Sequence, residues 1–330
     1  MEKSLTQYPQ LKTYYNKKVL ITGGAGFVGS NVAEELVQLG AKVTVLDDLT
    51  TGKRELVPKD VENFVEGSVT DKSIVDNLIA EVDVVFHMAA RVLAASTSDV
   101  FSDYSVNIGG TLNILSCSCS RSSAPPTIVY TSTSSVYGNS RYLPIIEDEI
   151  PNILSPYAAS KYSAENYCRV FYEMNELPIV VLRYSNVYGR NQTPQNPYSG
   201  VVAKFLDACI QGRPMTIHGS GLQTRDFTYI DDAVKATLLA GIRPNAVGDV
   251  FNIGTGTETN IRQLASLIAH VTGADLPIEY IDRRDIDNVH RRVLNIEKAR
   301  RKLRWIPEVS LDQGLANTYE WLKQSFLKGQ

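Results

Sequence analysis

A tyrosine and a lysine stand four residues apart in the segment SPYAASKYSAENYCRVFYE, as Tyr157 and Lys161. Residues four apart in a helix project from one face, and an ammonium beside a phenol stabilises phenolate, lowering its pKa from roughly 10 towards neutrality. The spacing predicts that Tyr157 acts as a base. The same spacing also arises by chance on exposed helices, but the preceding strand adds hydroxyls that favour an active site: Ser132, Thr133, Ser134 and Ser135.

A glycine-rich run, KKVLITGGAGFVGS, places Gly23, Gly26 and Gly29 between an apolar strand and the helical pattern NVAEELVQLG. Glycines at such a junction allow a tight turn and close approach of the backbone to a ligand. The N-terminus of the helix is where a dinucleotide pyrophosphate binds. Glycine spacing alone also occurs in plain turns, so the prediction depends on a second signal.

That second signal is an acidic pair, Asp47 and Asp48, which ends the next strand VTVLDD. Asp47 lies 24 residues beyond Gly23, where a carboxylate can accept hydrogen bonds from both adenosine ribose hydroxyls and repel a 2′-phosphate. The pair therefore predicts NAD rather than NADP as the cofactor. Asp48 is the neighbouring candidate, and strand alternation predicts that it points away or caps the following turn.

Short β-branched runs recur with helix-length segments between them, which predicts an α/β fold on a Rossmann-type, doubly wound parallel sheet. The runs are VLIT (19–22), VTVL (43–46), NFVEG (63–67), VDVVFH (82–87), TIVYTS (127–132), PIVVLRY (178–184) and DVFNIG (249–254). After Tyr184 the pattern becomes irregular. We therefore expect a smaller, interleaved C-terminal substrate-binding lobe over the carboxyl edge of the sheet.

The expected domain boundaries follow from this pattern. The NAD-binding domain is expected at 17–185, with 226–256 returning to it, and the substrate-binding lobe mostly at 186–225 and 257–330. No role is assigned to an N-terminal extension at 1–16, which has no expected family counterpart.

The composition is that of an ordinary globular protein, with 330 residues, 43% apolar residues and a net charge of −3. No apolar run reaches the about 18 residues of a membrane span, and no signal peptide is recognisable, so we expect a cytoplasmic location and no membrane partner. The four cysteines lack metal-binding spacing, so no metal is expected. Acidic residues interrupt the arginine-rich stretch 282–305, which argues against nucleic-acid binding.

Six motifs, in order and spacing, resemble the extended short-chain dehydrogenase/reductase family, in its NAD-dependent nucleotide-sugar epimerase/dehydratase branch: TGGAGFVGS, FHMAA, TSTSSVYG, YAASK, LRYSNVYG and GSGLQTRDFTYIDD. The resemblance covers roughly residues 17–325. It implies that Tyr157 and Lys161 are the catalytic pair and that Thr133 hydrogen-bonds the sugar hydroxyl being oxidised. Asn107 would sit near the site and help to place the catalytic helix.

The resemblance also implies two sets of binding residues. Besides the catalytic pair and Asn107, the cofactor would contact Gly23, Gly26, Phe27, Val28, Gly29, Asp47, Asp48, Ser68, Val69, Met88, Ala89 and Ala90. A UDP-sugar would contact Ser134, Ser135, Asn186, Val201, Thr216, His218, Arg225, Arg284 and Asp287. Two positions depart from the family pattern: Ser68 stands where an adenine-reading aspartate is common, and Ser185 replaces an aromatic residue.

Within the substrate set, the resemblance implies different partners for different residues. Asn186, Arg225 and Arg284 would meet the diphosphate, and Asp287 the ribose. The nucleobase pocket would hold Thr216 and His218. For His218, an ordinary packed or surface histidine is the alternative.

The expected reaction follows from acids that this chain lacks. By the resemblance, dehydratases carry an Asp-Glu pair directly after the active-site threonine, and decarboxylases a glutamate two places after it, where this chain has Ser134 and Ser135. The cysteine and histidine acids of bifunctional epimerase-reductases also have no counterpart at 131–138. Reversible hydride transfer remains, which predicts 4-epimerisation with NAD regenerated in each turnover. The alternatives are a nucleotide-sugar ketoreductase and a non-catalytic NAD-binding regulator, which would be expected to lack Tyr157 or Lys161.

The expected substrate is a UDP-hexose: UDP-glucose/UDP-galactose first, UDP-N-acetylhexosamine second and UDP-glucuronate third. By the resemblance, glucuronate epimerases tend to carry an arginine in the loop after the YG motif, where this chain has Thr193 and Pro194, with Arg190 nearby. The resemblance also implies a homodimer that packs helices near 101–119 and 157–174.

Overall fold

The computed structural model describes residues 5–121, 123–194, 199–283 and 288–328. Its strands are β1 Lys18–Thr22, β2 Lys42–Asp47, β3 Asn63–Glu66, β4 Val84–His87, β5 Thr127–Thr133, β6 Ile179–Tyr184, β7 Asn186–Tyr188, β8 Met215–His218, β9 Thr224–Arg225, β10 Phe227–Tyr229, β11 Val250–Ile253, β12 Thr259–Asn260 and β13 Ile278–Ile281.

Its α-helices are α1 Phe27–Gln38, α2 Lys72–Ile79, α3 Leu93–Ser98, α4 Val100–Asp103, α5 Thr111–Cys119, α6 Pro156–Asn175, α7 Val201–Ile210, α8 Ile230–Ala240, α9 Ile261–Thr272, α10 Glu297–Lys302 and α11 Leu311–Lys328. A π-helical turn, Tyr104–Gly110, joins α4 to α5. Short 3₁₀ turns span Leu5–Gln7, Pro9–Tyr14, Arg54–Leu56, Ser134–Tyr137 and Pro244–Ala246.

Seven strands form one parallel sheet in the order β11-β6-β5-β4-β1-β2-β3. In its centre, Thr22 of β1 lies opposite Leu46 of β2 and His87 of β4. These seven strands are the seven predicted runs, so the prediction of a Rossmann-type doubly wound sheet is confirmed. The strand order reverses between β1 and β4, and such a switch point opens a ligand-binding crevice at the carboxyl ends of the strands.

Helices cover both faces of the sheet because successive strand residues point to opposite sides. In β1, Val19 and Ile21 pack into a large apolar core with α1 and α8, whereas Leu20 packs into a second core with α2, α5 and α6. A slip of one residue would exchange the two faces, so this packing fixes the register of β1.

Smaller elements make up much of the second half of the chain. Three two-stranded sheets, β10-β7, β12-β9 and β13-β8, lie outside the main sheet, and α7, α9 and α11 pack against one another. The chain returns to the main sheet through α8 and β11, which pairs with β6. Among the helices that the structure describes, none combines the length and apolar character needed to cross a bilayer.

The N-terminal segment packs into the main core. Leu11 and Tyr14 are fully buried, the Tyr14 hydroxyl donates to Leu238 O of α8 at 2.7 Å, and its ring lies 6.2 Å from that of Phe86. The sequence assigned no role to this extension; in its described part, Tyr14 fixes the segment to α8. This contact could not be predicted from the sequence, because Tyr14 and Leu238 are 224 positions apart along the chain.

Candidate active site

The turn between β1 and α1 can be formed only by glycine at two positions. Gly23 has φ +71°, and a Cβ there would lie 2.7 Å from Ala89 N. A Cβ on Gly29 would collide with Gly23 O. The backbone is thus packed against the end of β4, and α1 begins at Phe27 with its first N–H groups available to an anion.

A cleft of about 400 Å³ opens along the carboxyl ends of β1, β2 and β4. It is lined by all the predicted cofactor residues except Asn107: Gly23, Gly26, Phe27, Val28, Gly29, Asp47, Asp48, Ser68, Val69, Met88, Ala89, Ala90, Tyr157 and Lys161. Its volume is within the range of ligand pockets. The glycine turn, the acidic pair and this shape fit a dinucleotide.

The two acidic residues at the end of β2 have different surroundings. Asp47 is buried, with Oδ2 accepting from Ala25 N and Oδ1 from Leu49 N, both at 2.9 Å. Burial raises its pKa, and the two backbone hydrogen bonds lower it. The exposed Asp48 caps the following turn through Thr50 N at 3.0 Å. Each Asp47 oxygen keeps a free lone pair, so this carboxylate can still accept from ribose hydroxyls.

The predicted catalytic pair, Tyr157 and Lys161, lies at the start of α6, where Ser155 Oγ caps Ala158 N at 3.2 Å. Tyr157 is half-buried. Burial raises the pKa of Tyr157 to about 12, while its interaction with the Thr133 hydroxyl opposes this rise. The expectation that Lys161 holds this pKa near neutrality is wrong for the structure as described, because desolvation of the phenol dominates.

Lys161 itself is buried, and its ammonium lies 4.4 Å from the centroid of the Tyr130 ring. Burial lowers its pKa to about 8, and nearby Glu165 and Asp103 oppose that shift. The ammonium therefore faces an aromatic ring as well as the cleft, a cation–π arrangement. Sequence spacing showed the shared helix face but could not show Tyr130, which comes from β5.

His87, at the end of β4, is a buried residue that sequence reasoning missed. Its Nδ1 lies 2.7 Å from Thr22 Oγ1 and its Nε2 lies 3.0 Å from Thr111 Oγ1. Thr111 Oγ1 donates to Asn107 O at 2.6 Å, so the bonding assigns the proton to Nε2. Burial, together with the charge of Lys161, lowers the pKa of His87 to about 3. His87 is thus neutral, and it joins β1 to α5 through the hydroxyls of Thr22 and Thr111.

Asn107, in the π-helical turn, joins three segments around the cleft. Its Oδ1 accepts from Arg91 N at 2.8 Å, and its Nδ2 donates to Arg91 O at 3.2 Å. Nδ2 also lies 2.7 Å from Asp103 Oδ1 and 3.0 Å from Ser160 Oγ in α6. The amide thereby fixes the loop after β4 against α6. Arg91 lines the cleft and was missed; its place directly after FHMAA was the available signal.

The predicted substrate residues are not gathered in this cleft: Ser134, Ser135, Asn186, Val201, Thr216, His218 and Arg225. Ser135 N donates to Thr133 Oγ1 at 3.1 Å, and Thr216 is exposed. Arg225 is buried and donates from Nη1 to Thr224 O and Val289 O at 2.8 and 2.9 Å. His218 Nδ1 lies 3.2 Å from Asp282 O.

Two further predicted substrate residues, Arg284 and Asp287, lie outside the residues that the structure describes.

Comparison with known proteins agrees with this geometry. The family model described as the NAD dependent epimerase/dehydratase family matches residues 19–254, well over half of the chain. The chain belongs to this family. It is therefore an NAD-dependent enzyme, and NAD is the cofactor that the glycine turn and the cleft fit.

Family members with solved structures share the whole architecture. A UDP-glucose 4-epimerase from Thermotoga maritima, solved with UDP-glucose, is 38% identical, with a TM-score of 0.89 over 94% of this chain and 99% of that one. An epimerase from Methanothermobacter thermautotrophicus is 32% identical, with a TM-score of 0.93 over 99% of this chain and 98% of that one. The latter match takes in most of 1–16, so the expectation that this extension lacks a family counterpart is wrong.

A relative with a different reaction is similar to almost the same degree. The UDP-N-acetyl-alpha-D-glucosaminuronate decarboxylase of Bacillus cytotoxicus is 33% identical over 322 residues, covering 93% of this chain and 98% of its own. Similarity over the whole chain therefore does not select the reaction within this family, and the active-site residues must.

Proposed function

We propose that this family member inverts carbon 4 of a UDP-hexose, UDP-glucose/UDP-galactose first, through a transient 4-keto sugar. The observation that carries the proposal is that Thr133 interacts with Tyr157, which lines the cleft, and is followed by Ser134 and Ser135 rather than by acids. Tyr157 is present as the base that takes the hydroxyl proton when the hydride is transferred. Carboxylates for elimination or decarboxylation are missing from those two positions.

The residues of the chain supply the proton chemistry. Bound NAD supplies the group that takes up the C4 hydride and gives it back. Tyr157 accepts the proton of the sugar 4-hydroxyl, directly or through Thr133, and returns it once the keto sugar has rotated. Lys161 contributes a positive charge on the same face of α6, which favours phenolate. The glycine turn holds the cofactor by its pyrophosphate, and Asp47 holds its adenosine ribose.

The surroundings of Arg190 support a neutral hexose over UDP-glucuronate. Its guanidinium forms ion pairs with Glu34 at 3.6 Å, with Glu35 at 3.7 Å and with Asp231. Three carboxylates thus already surround the arginine that left the glucuronate alternative open. Among the described residues of this loop, those that line the cleft are Asn191, Gln192, Thr193 and Ser199, none of which carries a charge.

Incubation with UDP-sugars and a dTDP-sugar, without added cofactor, tests this proposal. We expect UDP-glucose and UDP-galactose to interconvert, with the epimers separated by chromatography, and no carbon dioxide from UDP-glucuronate. Net production of NADH or NADPH, measured at the nicotinamide absorbance band, would instead indicate the ketoreductase. If only UDP-N-acetylglucosamine or only UDP-glucuronate is inverted, the proposed reaction, 4-epimerisation, is correct and the proposed substrate is wrong.

The smaller elements at 186–225 and 257–330 are proposed to form the substrate-binding lobe. Thr216 and His218 lie on β8, at the surface of one two-stranded sheet, and are proposed to meet the nucleobase. Alanine at either position should weaken the binding of UDP, measured by calorimetry, and leave that of NAD unchanged. If both variants bind UDP with wild-type affinity, β8 is not part of the nucleotide site.

We also propose a homodimer formed through α4 and α6. Phe101 is 82% exposed and Met174 is 77% exposed. Tyr167, Val170 and Met174 follow one another at spacings of three and four and so share a helix face. Exposed apolar stripes of this kind mark contact surfaces. Light scattering should give a dimer for the wild type and a monomer for Val170→Glu, while Tyr142→Glu, at an exposed site elsewhere, should remain dimeric.

A further inference from the structure

Arg91 occupies a fixed place beside the catalytic helix. Its backbone is bound on both sides by the Asn107 amide, which also bonds to Ser160 in α6. Ser160 Oγ in turn donates to Tyr157 O at 3.1 Å. Arg91 lines the same cleft as Tyr157 and Lys161. A short chain of hydrogen bonds therefore holds this arginine relative to the catalytic pair.

The guanidinium of Arg91 has no counter-charge among the described residues. Its Nε is shielded from solvent and has no hydrogen-bond partner there, and no described carboxylate lies within ion-pair distance of it. The carboxylates that line the cleft, Asp47 and Asp48, belong to the end formed by β2, and Lys161 adds a second cation. A shielded donor without a partner is unfavourable, and no described carboxylate offsets the charge, so this end of the cleft is suited to a negative group.

Arg243 shows that a shielded Nε alone does not define a site. Its Nε is also without a hydrogen-bond partner in the described chain, but Arg243 lies outside the cleft. Arg91 differs because Asn107 fixes its backbone and the residue lines the cleft. The two arginines therefore form a matched pair for experiment.

We propose that the Arg91 guanidinium binds an anionic oxygen, from a phosphate or a carboxylate, of a ligand held in this cleft. The planar guanidinium matches both groups, since it can donate two parallel hydrogen bonds. The glycine turn already offers N–H groups to the cofactor's pyrophosphate. The sugar nucleotide is therefore the favoured source of the anion, and this part of the proposal rests on the proposed function.

Direct binding measurements on Arg91→Gln test the proposal. Calorimetry would compare UDP, UDP-glucose and UDP-glucuronate on the NAD-loaded protein, and NAD on protein stripped of cofactor. We expect UDP and UDP-glucose to bind roughly 10- to 100-fold more weakly, as for the loss of a charge-assisted hydrogen bond. NAD should bind as to the wild type. Arg243→Gln, which removes the same charge outside the cleft, should change none of these affinities.

The pattern of loss identifies the anion. Weaker binding of NAD alone would place the contact on the cofactor's phosphates, and weaker binding of UDP-glucuronate alone would place it on the sugar carboxylate. Either result supports the guanidinium as the receptor. Wild-type affinities for all four ligands would overturn the proposal. These measurements need no turnover, so they remain informative if no UDP-sugar is epimerised.

A stability measurement separates this role from a structural one. We expect the melting temperature of ligand-free Arg91→Gln to be no lower than that of the wild type, because an unpaired charge contributes no stability. A lower melting temperature with unchanged ligand affinities would make Arg91 purely structural and overturn the proposal. If Arg91→Gln does not fold, Arg91→Lys, which keeps the charge and loses the planar fork, should still bind the same ligand several-fold more weakly.

Discussion

Two arginines, one in the protein interior and one in the cleft, have opposite surroundings. Arg183 in β6 donates from Nε and Nη2 to Glu165 at 2.7 to 3.1 Å, and from Nη1 to Tyr137 Oη at 2.8 Å and Glu147 O at 3.0 Å. Arg91 has an Nε without a partner. Arg183 is thus satisfied by the chain itself, whereas Arg91 at the cleft keeps a donor for a ligand. Changes in the interior should lower stability, and changes in the cleft should lower binding or turnover.

The largest effect should come from Tyr157→Phe in the cleft. The ring remains and the phenolic oxygen is lost, so turnover should fall about 10²- to 10⁴-fold, as for loss of a general base. NAD binding and the melting temperature should stay close to wild type, which steady-state kinetics, calorimetry and thermal melts would check. Retention of more than about a hundredth of the rate would contradict a general-base role. A large loss of stability would break the contrast between cleft and interior.

Arg183→Met tests the interior side of the comparison. Removing the guanidinium leaves the buried Glu165 carboxylate without its charge partner, although Ser132 still donates to it. We expect the free energy of unfolding to fall by about 3–5 kcal/mol, measured by denaturant titration. The double variant Arg183→Met/Glu165→Leu should recover part of that loss, because no unpaired charge remains. A double variant as unstable as the single one would show that packing, not charge pairing, dominates.

Lys161→Met should separate stability from function at a single residue. Burial lowers the pKa of Lys161 from 10.5 to about 8, so between these values the unfolded chain binds the proton more tightly and the wild type gains stability as pH rises. Below pH 8 the folded state carries the full cost of the buried ammonium. The variant should therefore be more stable than wild type at pH 7, by about 1–3 kcal/mol, and catalytically defective.

Denaturant titrations of both proteins from pH 7 to 10.5 would check this pH dependence. The advantage of Lys161→Met should shrink as the pH passes 8 and approach zero near 10.5. A constant difference across this range would mean that the wild-type ammonium is not destabilised by burial.

The smallest effect is expected for Asp47→Ala. Asp47 combines the two situations compared above, because part of its hydrogen bonding is satisfied by the protein and part is left for a ligand. Its carboxylate is partly satisfied by Ala25 N and Leu49 N and partly free for ribose. NAD binding should weaken roughly tenfold, and the preference over NADP should narrow because the repulsive carboxylate is gone. Calorimetry with both cofactors would measure this, with Asp48→Ala as the matched control. An unchanged preference would transfer the role to Asp48 or dismiss both residues.

Features encoded in short stretches of sequence were predictable. The seven strands followed from runs of β-branched residues, the cofactor turn from the spacing of Gly23 and Gly29, and the shared face of Tyr157 and Lys161 from helical geometry. Each depends on residues within one or two elements. Local spacing is sufficient information for such features.

Features that depend on distant residues were not predictable. The pKa of Tyr157 follows from how deeply the folded chain buries it, which residue spacing does not contain. Lys161 contacts the ring of Tyr130, which lies in another element. The unpaired Nε of Arg91 and the place of this residue at the cleft are properties of the folded chain that its sequence does not contain. The predicted substrate residues, such as Thr216 and Arg225, lie on very short strands whose placement is decided by tertiary packing.

The bond between Tyr14 and Leu238 also bears on the order in which the protein is made and folded. The two residues are 224 positions apart, so during synthesis Tyr14 emerges long before α8 exists. Contacts between such distant parts of the chain require closure of a large loop, which slows folding. Until α8 is complete, the apolar side chains of Leu11 and Tyr14 have no native partner there. Leu11 and Tyr14 are therefore expected to be among the last residues to reach their native positions, although they are synthesised well before α8.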